Sequence, residues 1–308
     1  MTTASSGKPP GAVHSAAEQR LAHALIFIAP ALWSVNYLVA RWAPGVIAPH
    51  ALALGRWTIA ALVLAFFCRG ELLAKRILIV DEWRQFVVLG ALGMWVCGAF
   101  VYIGGRTTSA VNIGLIYATS PVLIALASAL WLRERLGPLR IVGVVLALAG
   151  MLHILVRGDW SALAALRFTP GDIWIAAAAL AWTAYSLLLR AWPSRFSSVA
   201  RLALTAVGGV AVLIPFTIAE AVFWLPSEVS WTAAGLVLAS ALIPGAAAYA
   251  AYSMMQRVLG AARVSMVLYL SPLYSAVIGW SVLGERVHWF HAVGGLLILP
   301  GIWLSTRR

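Results

Sequence analysis

The chain has 308 residues, of which 62% are hydrophobic and only 10% are charged, and its mean hydropathy is +0.92. A soluble domain of this length needs far more charge to cover its surface, so the composition excludes one and favours a membrane protein. The formal net charge is +12. The basic residues are scattered between apolar runs instead of forming a soluble basic face, which argues against nucleic-acid binding.

Residues 1–20 are small, polar and interrupted by Pro and Gly, and we expect them to form a disordered cytoplasmic tail. Ten apolar runs follow, each long enough to cross a bilayer, and hydrocarbon forces each of them to be helical. The fold class is therefore predicted to be all-α, a polytopic membrane protein of ten transmembrane helices. The predicted spans are 21–43, 49–68, 84–105, 109–131, 138–156, 171–191, 199–224, 231–255, 262–283 and 288–305.

The connecting segments predict the orientation of these spans. If the N-terminus is cytoplasmic, sixteen of the 22 Lys and Arg residues lie in inside segments and five lie in outside segments, with Arg56 within a span. Because Lys and Arg concentrate in cytoplasmic loops, both termini are expected in the cytoplasm.

The two halves of the chain repeat one pattern. Residues 106–150 match residues 257–301 without gaps at an offset of 151, including Ser-Pro, Glu-Arg and two glycines of each copy. We therefore predict one five-helix repeat over 21–156 and a second over 171–306. Because five is odd, the second repeat enters the membrane inverted, as in many secondary transporters. Duplication that merely enlarged a helical bundle is the simpler alternative.

Prolines interrupt several spans near their middle. Each removes an amide donor and crowds the carbonyl four residues earlier, so we expect the broken backbone to face protein or a water-filled cavity. These helix breaks either shape the bundle, act as hinges or bind substrate directly. The predicted hinge positions are Pro30, Pro121, Pro244 and Pro272.

Aromatic and polar side chains gather at similar depths in several spans. Some of the tryptophans lie too deep to be interfacial anchors, so they either pack between helices or line a cavity. A buried Asn must also find a partner. The predicted substrate-binding residues are Trp33, Asn36, Tyr37, Arg56, Trp95, Tyr102, Tyr117, Trp182, Tyr185, Tyr249, Tyr252 and Tyr274.

Charges inside the spans are scarce. Arg56 either snorkels towards the surface or bridges helices, or else it attracts a substrate carboxylate. The middle of every span lacks Asp and Glu, which argues against the midplane carboxylate expected in a proton-coupled exporter of cations. The Glu-Arg pairs at 134/135 and 285/286 either close tight turns or form symmetric gates. Glycines in spans 5 and 10 predict close helix packing away from the transport path.

The segments LRERLGPLRIVGVVLALAG and LGERVHWFHAVGGLLILPG, together with ALWSVNYLVARW near the start, resemble the drug/metabolite transporter superfamily, EamA type. The likeness covers about residues 21–306. Within that superfamily the Trp- and Tyr-rich spans resemble those of bacterial aromatic amino-acid exporters. The resemblance implies ten helices, a central cavity between the halves and amino-acid efflux across the inner membrane.

The sequence thus predicts a secondary transporter of the bacterial inner membrane that exports aromatic or neutral amino acids or related metabolites by alternating access. A multidrug or organic-cation exporter, a passive channel and a lipid flippase remain alternatives. An enzyme is not expected, since zinc-protease, serine-hydrolase and paired-aspartate motifs are missing from the sequence. We expect no cofactor and no metal. The expected partners are a small-molecule substrate and membrane lipid, without nucleic acid, and a monomer is expected.

Overall fold

The computed structural model describes residues 15–133, 137–224, 230–284 and 286–306. The side chains of Tyr37, Arg41, Ala110, Val111 and Leu283 also lie outside the described part. The predicted Glu-Arg gates therefore fall largely outside it, since Glu134, Arg135 and Glu285 are not described.

Ten long helices, here numbered in chain order, make up the described part of the chain, and no strand occurs in it. All ten are long and apolar enough to cross a membrane, which confirms the predicted fold class. Their bounds are α1 Ala16–Trp42, α2 Pro49–Phe67, α3 Arg76–Gly104, α4 Ala110–Leu130, α5 Pro138–Leu155, α6 Pro170–Ala191, α7 Ser198–Phe223, α8 Trp231–Leu259, α9 Ala261–Val264 continued through Ser265–Leu270 and Ser271–Leu283, and α10 Trp289–Thr306. Short helices at Arg69–Ala74 and Trp160–Leu163 lie in the connections.

Helix α1 begins earlier than the sequence indicated. The predicted disordered tail extended to residue 20, but the helix starts at Ala16. The reason is a capping box, in which the backbone N–H of Glu18 donates to the hydroxyl of Ser15 and the Ser15 N–H donates to the Glu18 carboxylate, at 3.1 and 3.0 Å. Two otherwise unpaired donors at the helix start are thereby satisfied.

Helix α3 also begins earlier, at residue 76 instead of 84. Its first turns contain charged residues, and the sequence pattern therefore predicts a loop there. Glu82 is nevertheless buried, because it accepts hydrogen bonds from the hydroxyl of Ser194 at 2.6 Å and the backbone N–H of Arg195 at 3.0 Å. A buried carboxylate with these two donors is compatible with a helical start.

The two halves pack with exchanged roles, as an inverted repeat requires. Helix α1 packs against α8, and α6 packs against α3; α4 contacts α6, and α9 contacts α1. Helices α2 and α7 face each other, and so do α5 and α10. We call the end of the bundle where α1 begins the N-terminal face, and the other end the opposite face.

Each repeat contains one π-helical segment at the same place. Ala91–Val96 interrupts α3 and Ala241–Ala247 interrupts α8, starting 150 residues apart (241 − 91). Pro244 lies inside the second segment, so this predicted hinge coincides with a helix irregularity. π-Helical turns release backbone carbonyls from the regular ladder and are frequent at functional sites.

The prolines of α4 and α9 have different local consequences. Helix α4 continues through Pro121, whereas α9 passes through a 3₁₀ segment, Ser265–Leu270, immediately before Pro272. The carbonyl of Leu268 accepts a bond from the Ser271 N–H and is not left free. The two helices also meet, because the Ser265 hydroxyl donates to the Pro121 carbonyl at 3.4 Å.

Helices α5 and α10 pack through small residues, as predicted. A Cβ atom added at Gly143 would lie 2.4 Å from the carbonyl oxygen of Gly301, and one added at Gly150 would lie 2.6 Å from that of Gly294. Such distances are possible only between backbones that touch directly.

Candidate functional site

An aromatic cluster occupies the middle of the bundle, where α1, α2, α6 and α8 meet. Trp33 contacts Trp182 and Tyr249 edge-on, with ring centroids 5.6 and 5.8 Å apart. Trp57 meets Tyr249 at 4.8 Å. These edge-to-face arrangements are the favoured geometry for aromatic pairs. Five of the rings are buried, so the cluster closes the centre of the molecule in this conformation. The aromatic cluster comprises Trp33, Trp57, Trp182, Tyr185, Tyr249 and Tyr252.

The tyrosines of the aromatic cluster have specific polar contacts. The Tyr249 hydroxyl donates to the carbonyl of Gly93 at 3.1 Å, and that carbonyl belongs to the π-helical segment of α3. The Tyr252 hydroxyl lies 2.9 Å from the Ser186 hydroxyl and accepts a bond from the Gln256 amide at 3.1 Å. The Tyr249 contact connects the halves, since α3 belongs to the first repeat and α8 to the second, whereas the Tyr252 contacts lie within the second repeat.

A polar group lies beside the aromatic cluster. The Tyr102 hydroxyl donates to Oδ1 of Asn36 at 2.7 Å, and Nη1 of Arg56 approaches the same oxygen at 3.5 Å. The Arg56 guanidinium also lies over the Trp57 ring, 4.9 Å from its centroid. Arg56 is 5% exposed, and its Nε has no hydrogen-bond partner in the described part of the chain. Arg56 therefore does not snorkel to the surface; it is held inside the bundle, where its contact with Asn36 bridges α2 and α1 as the other alternative expected.

Two other predicted residues lie near this region. Tyr117 is close enough to Tyr249 and Tyr102 to interact with both electrostatically. Tyr274 is partly buried and packs on the outside of the main core. The side chain of Tyr37 lies outside the described residues.

Trp95 lies elsewhere, on the side of α3 that faces α7. It stacks on Phe216 with a centroid distance of 3.9 Å, and its indole N–H donates to Nε2 of His50 at 3.4 Å. His50 in turn contacts Glu220 twice, through its ring Nδ1 at 2.9 Å and its backbone N–H at 2.8 Å. Trp95 therefore belongs to a contact between the second helices of the two repeats and not to the aromatic cluster.

Two cavities lie on either side of the aromatic cluster. A cavity of about 970 Å³ opens at the opposite face, and Tyr102 and Leu52 line its inner end. A second cavity, of about 190 Å³, lies at the N-terminal face, and Tyr185 and Ser253 line its inner end. Tyr102 lines the first cavity and bonds to Asn36, and Tyr185 lines the second and belongs to the aromatic cluster, so both cavities reach the central groups.

The N-terminal face is held by an ion-pair network close to the second cavity. The Glu71 carboxylate accepts from Nζ of Lys75 and from the Ser197 N–H, both at 2.8 Å. Partial burial raises the pKa of Glu71, but these hydrogen bonds and the Lys75 charge outweigh it and lower the pKa below its ordinary value. Burial, followed by the Glu71 charge, raises the pKa of Cys68, so this thiol stays protonated at neutral pH.

Comparison with known proteins decides the family. The model of the EamA-like transporter family matches residues 20–156 and again residues 169–307. The chain belongs to the EamA-like transporter family. This repeated match agrees with the repeat seen in the sequence, and it makes the protein a membrane transporter rather than an enzyme.

Several relatives match this EamA-like transporter over most of their length. An uncharacterized transporter from Archaeoglobus fulgidus is 24% identical over 93% of the chain and 97% of its own. A probable terminal-alkyne amino-acid exporter from Streptantibioticus cattleyicolor is 26% identical, covering 91% and 95%. An S-adenosylmethionine/S-adenosylhomocysteine transporter from Chlamydia trachomatis serovar L2 is 27% identical, covering 85% and 81%.

A crystal structure of another protein has the same fold. It superimposes with a TM-score of 0.74 at 22% identity, covering 92% of this chain and 96% of that one. At this identity the comparison supports the arrangement of the helices in the EamA-like transporter and nothing about its substrate.

Sequence reasoning missed three features of the site. Trp57 lies as deep as Trp33 and Trp182, and the same depth argument would have identified it. His50 and Glu220 are near opposite ends of their spans in sequence order, and only the packing of α2 on α7 brings them together. The π-helical segments carry no signal that single-sequence periodicity detects.

Proposed function

We propose that this EamA-like transporter exports α-amino acids with neutral or aromatic side chains by alternating access. In this proposal it lies in the bacterial inner membrane with its N-terminal face in the cytoplasm. The bias of sixteen against five basic residues supports that orientation. The observation that carries the substrate class is the buried Arg56 beside a cluster of six aromatic side chains.

The chemistry of these groups suits an amino acid. A buried guanidinium binds a carboxylate strongly through charge-assisted hydrogen bonds, and the Nε of Arg56 lacks another partner among the described residues. Asn36 and Tyr102 supply oxygens within reach of an ammonium group. The aromatic cluster offers apolar contact to a side chain. Two relatives with named substrates support this class, because an amino acid and S-adenosylmethionine share an α-amino-acid end.

An organic-cation exporter is the second candidate, since aromatic rings also bind ammonium cations. The nearest charge to the aromatic cluster is the cation of Arg56, however, and no Asp or Glu in the described ranges hydrogen-bonds to Arg56, Asn36 or Tyr102. Positive charge at this position repels a cationic substrate. The geometry therefore favours the zwitterion.

The test is transport by the purified protein in liposomes. We expect saturable counterflow of labelled L-phenylalanine, inhibited by other neutral amino acids and little affected by tetraethylammonium. Replacing Arg56 by Gln should raise the KM for phenylalanine roughly tenfold or more, because a hydrogen bond to a charged group contributes about 1.5–3 kcal/mol. Arg69→Gln, at an exposed position outside the site, is the matched control. Flux of cations without flux of any amino acid would refute the proposal.

A further inference from the structure

The cavity at the N-terminal face has a polar interior that the packing of the helices does not account for. It lies between α6, α7 and α8, and we call it the Arg201 pocket. Its inner wall is buried, whereas its mouth carries the exposed residues Arg190, Pro193 and Arg257. The Arg201 pocket is therefore reachable from the N-terminal face and ends beside the aromatic cluster, where Tyr185 belongs to both.

Five side chains that line the Arg201 pocket contain buried polar atoms without a hydrogen-bond partner in the described ranges. Buried polar atoms in folded proteins are nearly always paired, and a group of five such side chains around one cavity indicates a ligand that pairs them. The atoms are the Tyr185 hydroxyl, Nε and Nη2 of Arg201, the Thr205 hydroxyl, the Ser253 hydroxyl and Oε1 of Gln256.

Arg201 is the charged member of this set. It is 9% exposed, and only its Nη1 is bonded, to the carbonyl of Leu189 at 2.9 Å. Glu82 attracts it electrostatically, but that carboxylate is bonded to Ser194 and Arg195 and forms no ion pair with Arg201 within 4 Å in the described structure. Its Nε and Nη2, a pair of donors that match the two oxygens of a carboxylate, therefore remain unused.

Gln256 supplies the complementary acceptor. Its amide nitrogen donates to Tyr252, which leaves the carbonyl oxygen for another donor, and the side chain is 2% exposed. The hydroxyls of Ser253 and Tyr185 lie close enough to interact with each other, and both can accept as well as donate to a ligand. The Arg201 pocket thus combines a fork of donors with a set of oxygens, which is the pattern that a zwitterion requires.

From this arrangement we infer that the Arg201 pocket is an entry site that binds the α-amino and α-carboxylate groups of the substrate before it reaches the aromatic cluster. Arg201 binds the carboxylate, and Gln256 with the neighbouring hydroxyls binds the ammonium. This inference rests on the proposed function for the substrate class and adds a second site to it. The second helix of each repeat then presents one buried arginine, Arg56 in α2 and Arg201 in α7, on either side of the aromatic cluster.

An anionic lipid headgroup is the competing ligand, because its phosphate would also pair with arginine. The phosphate group itself has no donor for the Gln256 carbonyl, so a lipid would have to pair that buried oxygen with a headgroup hydroxyl, whereas the ammonium of an amino acid donates to it directly with a full charge. The acceptors of the Arg201 pocket therefore favour an amino acid over a lipid phosphate.

The first experiment measures phenylalanine uptake into inside-out membrane vesicles, where the N-terminal face is exposed under the proposed orientation. Arg201→Gln should raise the KM at this face roughly tenfold or more, with a smaller change in Vmax, and Arg201→Lys should recover part of the loss. Arg195→Gln is the control, because this exposed arginine pairs with Asp81 outside the Arg201 pocket. An unchanged KM in Arg201→Gln, with wild-type transport intact, would overturn the entry site and leave the proposed function standing. If the wild type moves no amino acid, both fail.

A second experiment does not depend on an Arg201 variant that folds. Ser253→Cys, in a protein whose Cys68 and Cys97 are replaced by Ala, is labelled with a small thiol reagent in nanodiscs. We expect L-phenylalanine to slow the labelling, and 2-phenylethylamine and 3-phenylpropanoate, which lack the carboxylate and the ammonium respectively, to protect much less. Protection by phosphatidylglycerol and not by phenylalanine, or equal protection by all three small molecules, would overturn the inference.

Discussion

Replacing Gly294 by Ala tests whether α5 and α10 are held together by backbone contact. A Cβ atom at this position would lie 2.3 Å from a side-chain carbon of Ile154 and 2.8 Å from the carbonyl oxygen of Gly150. The isoleucine can rotate, but the backbone oxygen can move only if the helices separate. The neighbouring Gly295 provides a matched control, since a Cβ atom there would meet Leu273 at 3.5 Å, an ordinary van der Waals distance.

The expected cost follows from two opposing effects. Adding a methyl group to a tightly packed interface costs about 1–3 kcal/mol, whereas replacing a glycine inside a helix by alanine gains about 0.5–1 kcal/mol. Gly294→Ala should therefore change the stability by between about 0 and 2.5 kcal/mol in the destabilising direction. Gly295→Ala gains the helix stabilisation of alanine without a steric clash, so this variant should be as stable as the wild type or slightly more stable.

The assay is thermal unfolding of both variants in the same detergent, followed by the loss of monodisperse protein on size exclusion. With a shift of about 2–4 °C per kcal/mol for a large domain, Gly294→Ala should melt a few degrees below Gly295→Ala. Gly301→Ala, whose Cβ would lie 2.7 Å from the Ala147 nitrogen, should behave like Gly294→Ala. Equal midpoints for all three variants would refute the packing argument.

Three further results are expected. Glu220→Gln should lower the melting temperature by weakening both contacts of His50 at the α2–α7 interface, measured beside the control Asp81→Asn, whose exposed carboxylate forms a solvent-exposed ion pair with Arg195; a midpoint no lower than the control's contradicts this. The lowered pKa of Glu71 means that its ionised form stabilises the fold, so the difference in melting temperature between wild type and Glu71→Gln should be largest at neutral pH. This difference should shrink as the pH falls below the ordinary carboxyl pKa of about 4.3. A difference that stays constant from pH 7 to pH 3.5 in paired melts would contradict the stabilising role of ionised Glu71. Tyr102→Phe should raise the KM for phenylalanine, because it removes the hydroxyl that holds the Asn36 side chain in place. Tyr274→Phe, on the outside of the main core, should leave the KM unchanged. Equal effects of the two variants in liposome counterflow would show that the Asn36 contact is unimportant.

Most of the helical architecture could be predicted because it depends on features that are local in sequence. Apolar length fixes which segments cross the membrane, and the repeated Ser-Pro, Glu-Arg and glycine positions identify the two halves. The errors lie at helix ends. The start of α1 depends on the capping box of Ser15 and Glu18, and the buried Glu82 in the early turns of α3 is paired by Ser194 from a distant loop. The hydrophobic periodicity of a segment contains no information about a hydrogen-bond partner that lies elsewhere in the chain.

The candidate site was predictable in part, for a related reason. Depth along a span is readable from sequence, and it selected Trp33, Trp182 and Tyr249, which the structure brings together. The direction in which a side chain points around its helix is less readable. Trp95 has a similar depth but faces α7, and it lies within a π-helical segment, where the regular helical spacing of side chains does not hold.

The matching π-helical segments of α3 and α8 also carry information about ancestry. A one-residue irregularity is unlikely to arise twice at the same offset of 150 residues, so it was present before the gene duplicated. The ancestral polypeptide then had five crossings, and its third helix already carried the π-helical turn that both halves of the present chain retain.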